Sequence, residues 1–278
     1  MSGTRAQFHA APLLVNAALL VAAVVTVFPL VWMLCVSFMP PGAASSYPPP
    51  LLPRAPTLQN YQQLFAAHDA GRYLLNSAWV ATLATAISLV LNTMAGYAFA
   101  KLRFAGRERV FQLLLGALVI PAQVTMIPLF ALVKSMGLVS TYGGVVVPML
   151  ASVFGIFLVR QAALALPEEL LEAARIDGAS EGRIFVLIVV PLLRPILITL
   201  AILTFLASWN DFMWPLIVLT DQKLHTLPVA LAGLSREYVQ DSELMMAGSV
   251  VTVLPVLLLF LVLQRYYLAG ILAGSIKG

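Results

Sequence analysis

Apolar residues run in long blocks along this chain, and the few charged residues stand at the block ends. From Ala10 to Pro53 there is no Asp, Glu, Lys or Arg, and the apolar core of that run, Val15 to Val36, is about 22 residues long. Arg72 and Lys101 bracket about 28 uncharged residues, Arg109 and Lys134 about 24, Lys134 and Arg160 about 25, and Glu243 and Arg265 about 21. A further block, Pro195 to Leu219, is interrupted only by Asp211. A helix needs about 20 apolar residues to cross the hydrocarbon core. The pattern therefore predicts an all-α, polytopic membrane protein. Its six spans fall at about 12–36, 73–99, 110–133, 141–163, 195–219 and 244–265, in one domain covering 1–278. Residues 166–194 are left outside the membrane as a loop.

Composition points the same way. The 278 residues are 61% hydrophobic and 10% charged, whereas a soluble domain is about a quarter charged. Arg5 and His9 precede the first apolar run as in a signal peptide, and Ala43-Ala44-Ser45 resembles a cleavage site. The run is too long for a signal core, so a retained first helix is expected. With the N-terminus inside, about eleven Lys and Arg fall in the inner segments and about five in the outer ones. The net charge of +4 is thus a topology signal: both termini are expected in the cytoplasm, and nucleic acid is not implied. The lone cysteine, Cys35, sits in an apolar run and reads as packing.

The outer loop from about Met39 to Arg72 carries Pro40, Pro41, Pro48, Pro49, Pro50, Pro53 and Pro56, so its first half should be stiff. Thr57 then precedes LQNYQQLF as the cap of a short helix. This loop and the last outer loop, Asp221 to Glu243, either receive something outside or simply cover helix ends.

One charged island stands out in the inner loop, LLEAARIDGAS at 170–180. Pro167 suits a first helical position, Glu168 and Glu169 favour the positive end of the helix dipole, and Gly178 suits a left-handed stop. Ser180 can cap a second helix beginning near Glu181, which carries FVLIVV to Pro191 and on to Pro195. Ala173 and Ala174 allow close approach, and Leu170, Leu171 and Ile176 offer apolar anchors. The unit reads either as a peg for another protein's cleft or as an ordinary capped loop.

Glu172, Ala173, Ala174, Asp177, Gly178 and Ala179, followed by Phe185, Pro191 and Pro195, resemble the EAA loop of ABC-importer permeases. NYQQLF near 60, LLNSAWVA near 75, AGYAFAKLRFAGR at 95–107, PAQVTMIPLF at 121–130, WNDFMWPLIVL at 209–219 and the closing QRYYLAGILAGSIKG are similar to the sugar branch of the maltose type. Their order resembles the shorter, six-helix permease of the pair. The resemblance implies a type I importer permease fold in a bacterial inner membrane. It also implies ATPase coupling through Glu172, Ala173, Ala174, Asp177, Gly178, Ala179 and Ser180. Implied partners are a second permease, two copies of an ATPase, an external sugar-binding protein and membrane lipid. The chain itself would bind no cofactor, ATP and Mg being used by the ATPase. Maltose or maltodextrin is the first cargo it implies, with other sugars and glycerol-3-phosphate as alternatives. The closing segment, with Gly270, Gly274 and Gly278, would reach the ATPase or fray.

Other polar positions have two readings. Trp209, Asn210 and Asp211 could line a sugar path, since an acid in a span is costly and suggests function. Alternatively Trp209 and Trp214 form an interfacial belt and Asp211 snorkels outward. Asn76, Asn92 and Thr93 read as glue between helices, and Pro121 and Pro128 as kinks. No GxxxxGK[ST] occurs, His9, His68 and His225 are scattered without metal spacing, and no Ser-His-Asp set stands out. The chain is therefore expected not to be an enzyme. A secondary transporter and a cargo-free assembly protein are the rival classes. Asp211 is the only deep acid and no internal repeat is evident, which weighs against the former.

Overall fold

In a computed structural model of the chain, residues 7–237 and 241–275 are described. All regular structure among them is helical. Gly278 of the closing segment lies outside these residues, as do Arg5 and Lys277. The chain divides into two units, one drawn from 7–70 and 231–254, the other from 71–230 and 255–275.

The long helices follow the apolar blocks. They are α1 (Gln7–Ser37), α3 (Ala70–Lys101) and α14 (Ser242–Ser275). Among the described residues, three helices are long and apolar enough to cross a membrane, and up to six segments qualify if each of three bent helix pairs is one span. Side chains of α1 such as Leu13, Leu20 and Val25 are exposed, which suits a hydrocarbon solvent.

In the first unit, α2 (Gln59–Ala66) packs against the end of α13 (Leu227–Glu237) and the start of α14. Leu64, Ala70, Leu234, Leu244 and Ala247 form its buried core. Buried Asn60 donates from Nδ2 to the carbonyls of Ser37 and Met39 at 2.9 and 2.8 Å, closing the end of α1. The proline-rich loop is tied down by Glu243, whose Oε1 accepts the Ala44 N–H at 2.6 Å. Thr57 acts one residue earlier than a helix cap would: its hydroxyl accepts from Gln59 N, while Leu58 holds the cap position of α2.

In the second unit, the segment expected as one helix over 110–133 is two. They are α4 (Arg107–Ala117) and α5 (Ala122–Ser135), bent by 106°. Pro121 is extended (φ −60°, ψ 134°) at the start of α5, and a proline there ends the preceding helix by excluding its neighbour from helical geometry. Pro128 lies inside α5. Next come α6 (Tyr142–Val146), a 3-10 turn at Val147–Met149, and α7 (Val153–Leu164). The break before α7 is held by buried Asn92, whose Oδ1 accepts the Ser152 N–H at 3.0 Å. Gly96 lets α3 meet α7, since a Cβ there would lie 2.6 Å from Val159 Cβ.

The loop residues form α8 (Glu168–Ile176) and α9 (Glu181–Ile184). A π-helical stretch, Phe185–Val189, and α10 (Val190–Leu192) follow, and the chain then bends by 79° into α11 (Arg194–Trp209). The segment expected as one span over 195–219 breaks after Trp209 and resumes as α12 (Met213–Val218). Two cores fill this unit. One gathers Tyr97, Val159, Leu171, Ile184, Val189 and Leu197. The other gathers Val80, Val133, Val145, Trp214 and Val218.

Candidate functional site

The island at 170–180 folds from local rules. Glu168 and Glu169 occupy the first turn of α8 and Arg175 the last, matching the helix dipole. Pro167 is extended (φ −59°, ψ 129°), so it precedes the first helical position and does not occupy it. At the other end Gly178 takes φ +80°. Its N–H donates to Arg175 O at 3.0 Å, and Ala179 N–H donates to Ala174 O at 2.9 Å. This pair of bonds is the Schellman stop, which needs a left-handed residue and so favours glycine. Ser180 precedes α9 in extended conformation, but its hydroxyl makes no capping bond.

Packing splits the island into two faces. Leu171 is fully buried, with Ala174 and Ala179 packed beside it in the core that includes Tyr97, Val159 and Ile184. Leu171 is therefore an internal anchor and cannot serve an outside partner, contrary to the expectation for it. Glu172, Ala173, Ile176 and Asp177 face outward, with Ile176 86% exposed. Leu170 is also exposed.

A chain of polar contacts joins this island to the end of α3. Tyr97 Oη donates to Glu181 Oε2 at 2.9 Å, and Arg175 Nε donates to Glu181 Oε1 at 2.7 Å. Arg175 Nη1 lies 3.6 Å from Glu168 Oε1. Lys101 Nζ donates to Glu168 Oε2 at 3.0 Å and to Leu166 O at 2.7 Å. The Glu168 carboxyl is held below its ordinary value. The hydrogen bond from Lys101 is the largest cause, and the charges of Lys101 and Arg175 act with it against burial. Sequence reasoning noted Glu168, yet missed the Tyr97, Lys101 and Glu181 partners. The available signal was the four-residue spacing of Tyr97 and Lys101, which puts both on one helix face.

The π-helical stretch begins at Phe185, whose ring packs against Tyr97 at 5.4 Å between centroids. Such stretches interrupt regular helices and concentrate at functional sites.

The second candidate group sits where α11 breaks. Trp209 is 2% exposed and stacks on Phe205 at 5.7 Å. Asn210 Nδ2 donates back to Leu206 O at 2.9 Å. Asp211 Oδ1 accepts the Trp214 N–H at 3.3 Å from one position before the cap of α12, which Phe212 holds. Trp214 is 5% exposed and donates from Nε1 to Gly144 O at 3.1 Å. Both tryptophans are thus held inside the chain, which does not fit an interfacial belt. Among the described residues no group of three or more His, Cys, Asp or Glu could hold a metal ion.

Residues 92–271 match the family model for the binding-protein-dependent transport system inner membrane component. The chain belongs to that family. The matched region starts in α3 and includes the whole loop from Glu168 to Glu181. The chain is 40% identical to the arabinooligosaccharides transport system permease protein AraQ of Halalkalibacterium halodurans, over 92% of this chain and 93% of that protein. It is 38% identical to the lactose transport system permease protein LacG of Rhizobium radiobacter, over 78% and 80% of the two chains. It is 32% identical to the diacetylchitobiose uptake system permease protein NgcG of Streptomyces coelicolor, over 94% and 88%. A bacterial ABC transporter crystal structure, described as involved in import of the acidic polysaccharide alginate, shares the fold. Its TM-score is 0.84 at 22% identity, covering 96% of this chain and 99% of that one.

The protein is therefore an integral membrane permease subunit of an ABC importer, with the type I importer fold, and not an enzyme. The rival class of secondary transporter gives way to this family.

Proposed function

We propose that this permease carries a di- or oligosaccharide inward across a bacterial inner membrane by alternating access, with both termini cytoplasmic. Relatives whose names specify arabinooligosaccharides, lactose and diacetylchitobiose support a sugar cargo. Maltose or maltodextrin is one candidate in that class, beside other oligosaccharides. Glycerol-3-phosphate is the alternative of different chemistry. The chain works with a second permease, two ATPase copies that use ATP and Mg, and an external sugar-binding protein. It binds no cofactor itself.

The observation that carries the coupling role is the two-faced helix α8. Its inner face is locked by Leu171, and Glu172, Ala173, Ile176 and Asp177 are left free on a stub with a glycine stop. A short helix with a small, mixed free face fits a cleft on another protein. Glu172 to Ser180 transmit the force of ATP-driven closure to the membrane helices. Trp209, Asn210 and Asp211 stand at the break between α11 and α12, a discontinuity of the kind that lines transporter paths.

The test is a mild-detergent pull-down of the tagged chain from its native membrane, read by mass spectrometry. An ATPase and a second permease are expected to co-elute. Uptake of radiolabelled maltose, lactose, arabinooligosaccharide and glycerol-3-phosphate into the intact cells then ranks the cargo. A chain that elutes alone overturns the importer reading.

A further inference from the structure

We propose that Tyr97 and Lys101 are positioning residues that clasp the loop at both ends and make α3 move with it. This rests on the coupling role proposed above for the same loop. The chain itself carries motion from α8 back into α7 and onward through α9 and α10 to α11, its neighbours in sequence. Helix α3 ends about 65 residues earlier at Lys101, so any load reaching it must cross through side chains.

The side chains for this are built. Lys101 is the last residue of α3, yet its side chain is only 7% exposed. Its ammonium is consumed by the loop, on Glu168 Oε2 and on Leu166 O. Tyr97 stands one turn earlier and is 4% exposed, with its hydroxyl on Glu181. One contact would allow the loop to pivot on α3. Two contacts four residues apart, about 6 Å along the axis, fix its direction as well.

The two contacts grip opposite ends of the loop. Glu168 opens α8, and Glu181 opens α9 after the Gly178 turn. Arg175 closes the circuit between them, 2.7 Å from Glu181 Oε1 and 3.6 Å from Glu168 Oε1. Leu171 lies beneath, in the same core as Tyr97 and Ala100. The outward residues Glu172, Ala173, Ile176 and Asp177 make no part of this clasp, so the free face and the grip are separate surfaces of one short helix. The Tyr97 ring also rests on Phe185, where the π-helical stretch begins. A push on the free face thus reaches α3 through the clasp and α11 through the chain.

The experiment uses the whole transporter in proteoliposomes and reads ATP hydrolysed per sugar taken up. Tyr97→Phe removes the hydroxyl and keeps the ring on Phe185. Glu168→Gln removes the charge facing Lys101. Each alone is expected to raise the ratio about twofold, and the pair about tenfold, more than the product of the two. Lys101→Arg is expected to keep a ratio near wild type, while Lys101→Met raises it. A pair variant that assembles and keeps the wild-type ratio overturns the clasp alone. A wild-type assembly with no ATP-driven sugar uptake overturns the transporter reading, and the clasp falls with it. Hydrogen-exchange mass spectrometry on the unmutated transporter gives a second reading that no folding defect can mask. Residues 97–101 and 168–181 are expected to change protection together on ATP addition, and a change confined to 168–181 overturns the proposal.

Discussion

Tyr142 Oη donates to Asn76 Oδ1 at 2.7 Å, and Asn76 spends both amide hydrogens on the chain backbone, at Lys223 O and His225 O, each 2.9 Å away. One amide in α3 thus ties α6 to the segment between α12 and α13. Asn76 is 7% exposed, so its own amide has little recourse to water. Asn76→Ala leaves two carbonyls and a phenol without their partner, at about 1–3 kcal/mol for each group stranded. A markedly lower melting temperature in detergent is expected. An unchanged melting temperature would mean that water replaces the amide.

Gly178→Pro is expected to uncouple ATP hydrolysis from uptake while the chain still inserts. Proline cannot take φ +80°, and it lacks the N–H that reaches Arg175 O. Gly178→Ala is a milder test. No atom lies within 4 Å of an added Cβ, so its cost is that of holding an L residue in the left-handed region, about 1–2 kcal/mol. Membrane level by blot and uptake per ATP separate the two effects, and normal uptake by the proline variant would refute the coupling role.

Glu243 is expected to latch the proline-rich loop. It is fully buried, with Oε1 on the Ala44 N–H, while Oε2 has no partner among the described residues. Glu243→Gln keeps an acceptor for Ala44. Glu243→Ala strands the N–H and opens a void, at a cost of about 1–3 kcal/mol. Limited proteolysis between residues 40 and 57 should quicken several-fold in the alanine variant and little in the glutamine one. Equal rates in all three proteins would show that the latch does not hold the loop.

Acid should release the Lys101 end of the clasp at a defined point. The Glu168 carboxyl is held below its ordinary 4.5, chiefly by the Lys101 hydrogen bond. A depressed carboxylate contributes stability that is fully present above its unfolded value and lost as pH falls through its folded one. The wild type's advantage over Glu168→Gln in thermal stability should then be flat from neutral pH down to about 5 and vanish below the depressed value. Glu168 is half exposed, so the advantage is small. An advantage that already declines between pH 7 and 5 would point to a different group.

The sequence alone determined what short-range physics controls. Apolar block length decides where a chain can be helical in lipid, and α1, α3 and α14 cover the blocks at 12–36, 73–99 and 244–265. The stop at Gly178 was legible because a left-handed residue and two backbone bonds are local matters. The motif from Glu172 to Ser180 was legible only through its resemblance to a known loop, and its coupling role is the proposal made above. Only the tertiary structure decided which face of α8 is already taken. Leu171 and Ile176 read alike as apolar anchors, yet one is buried in the chain's own core and the other is 86% exposed. It also decided that the kink expected at Pro121 is a 106° bend, and that Asp211 accepts the Trp214 N–H in the first turn of α12. Above all it brought Tyr97 and Lys101 to Glu181 and Glu168, some 65 to 85 positions away. Periodicity reports a helix and its faces, but the partner that meets each face is set by packing between distant segments, and no local pattern encodes it.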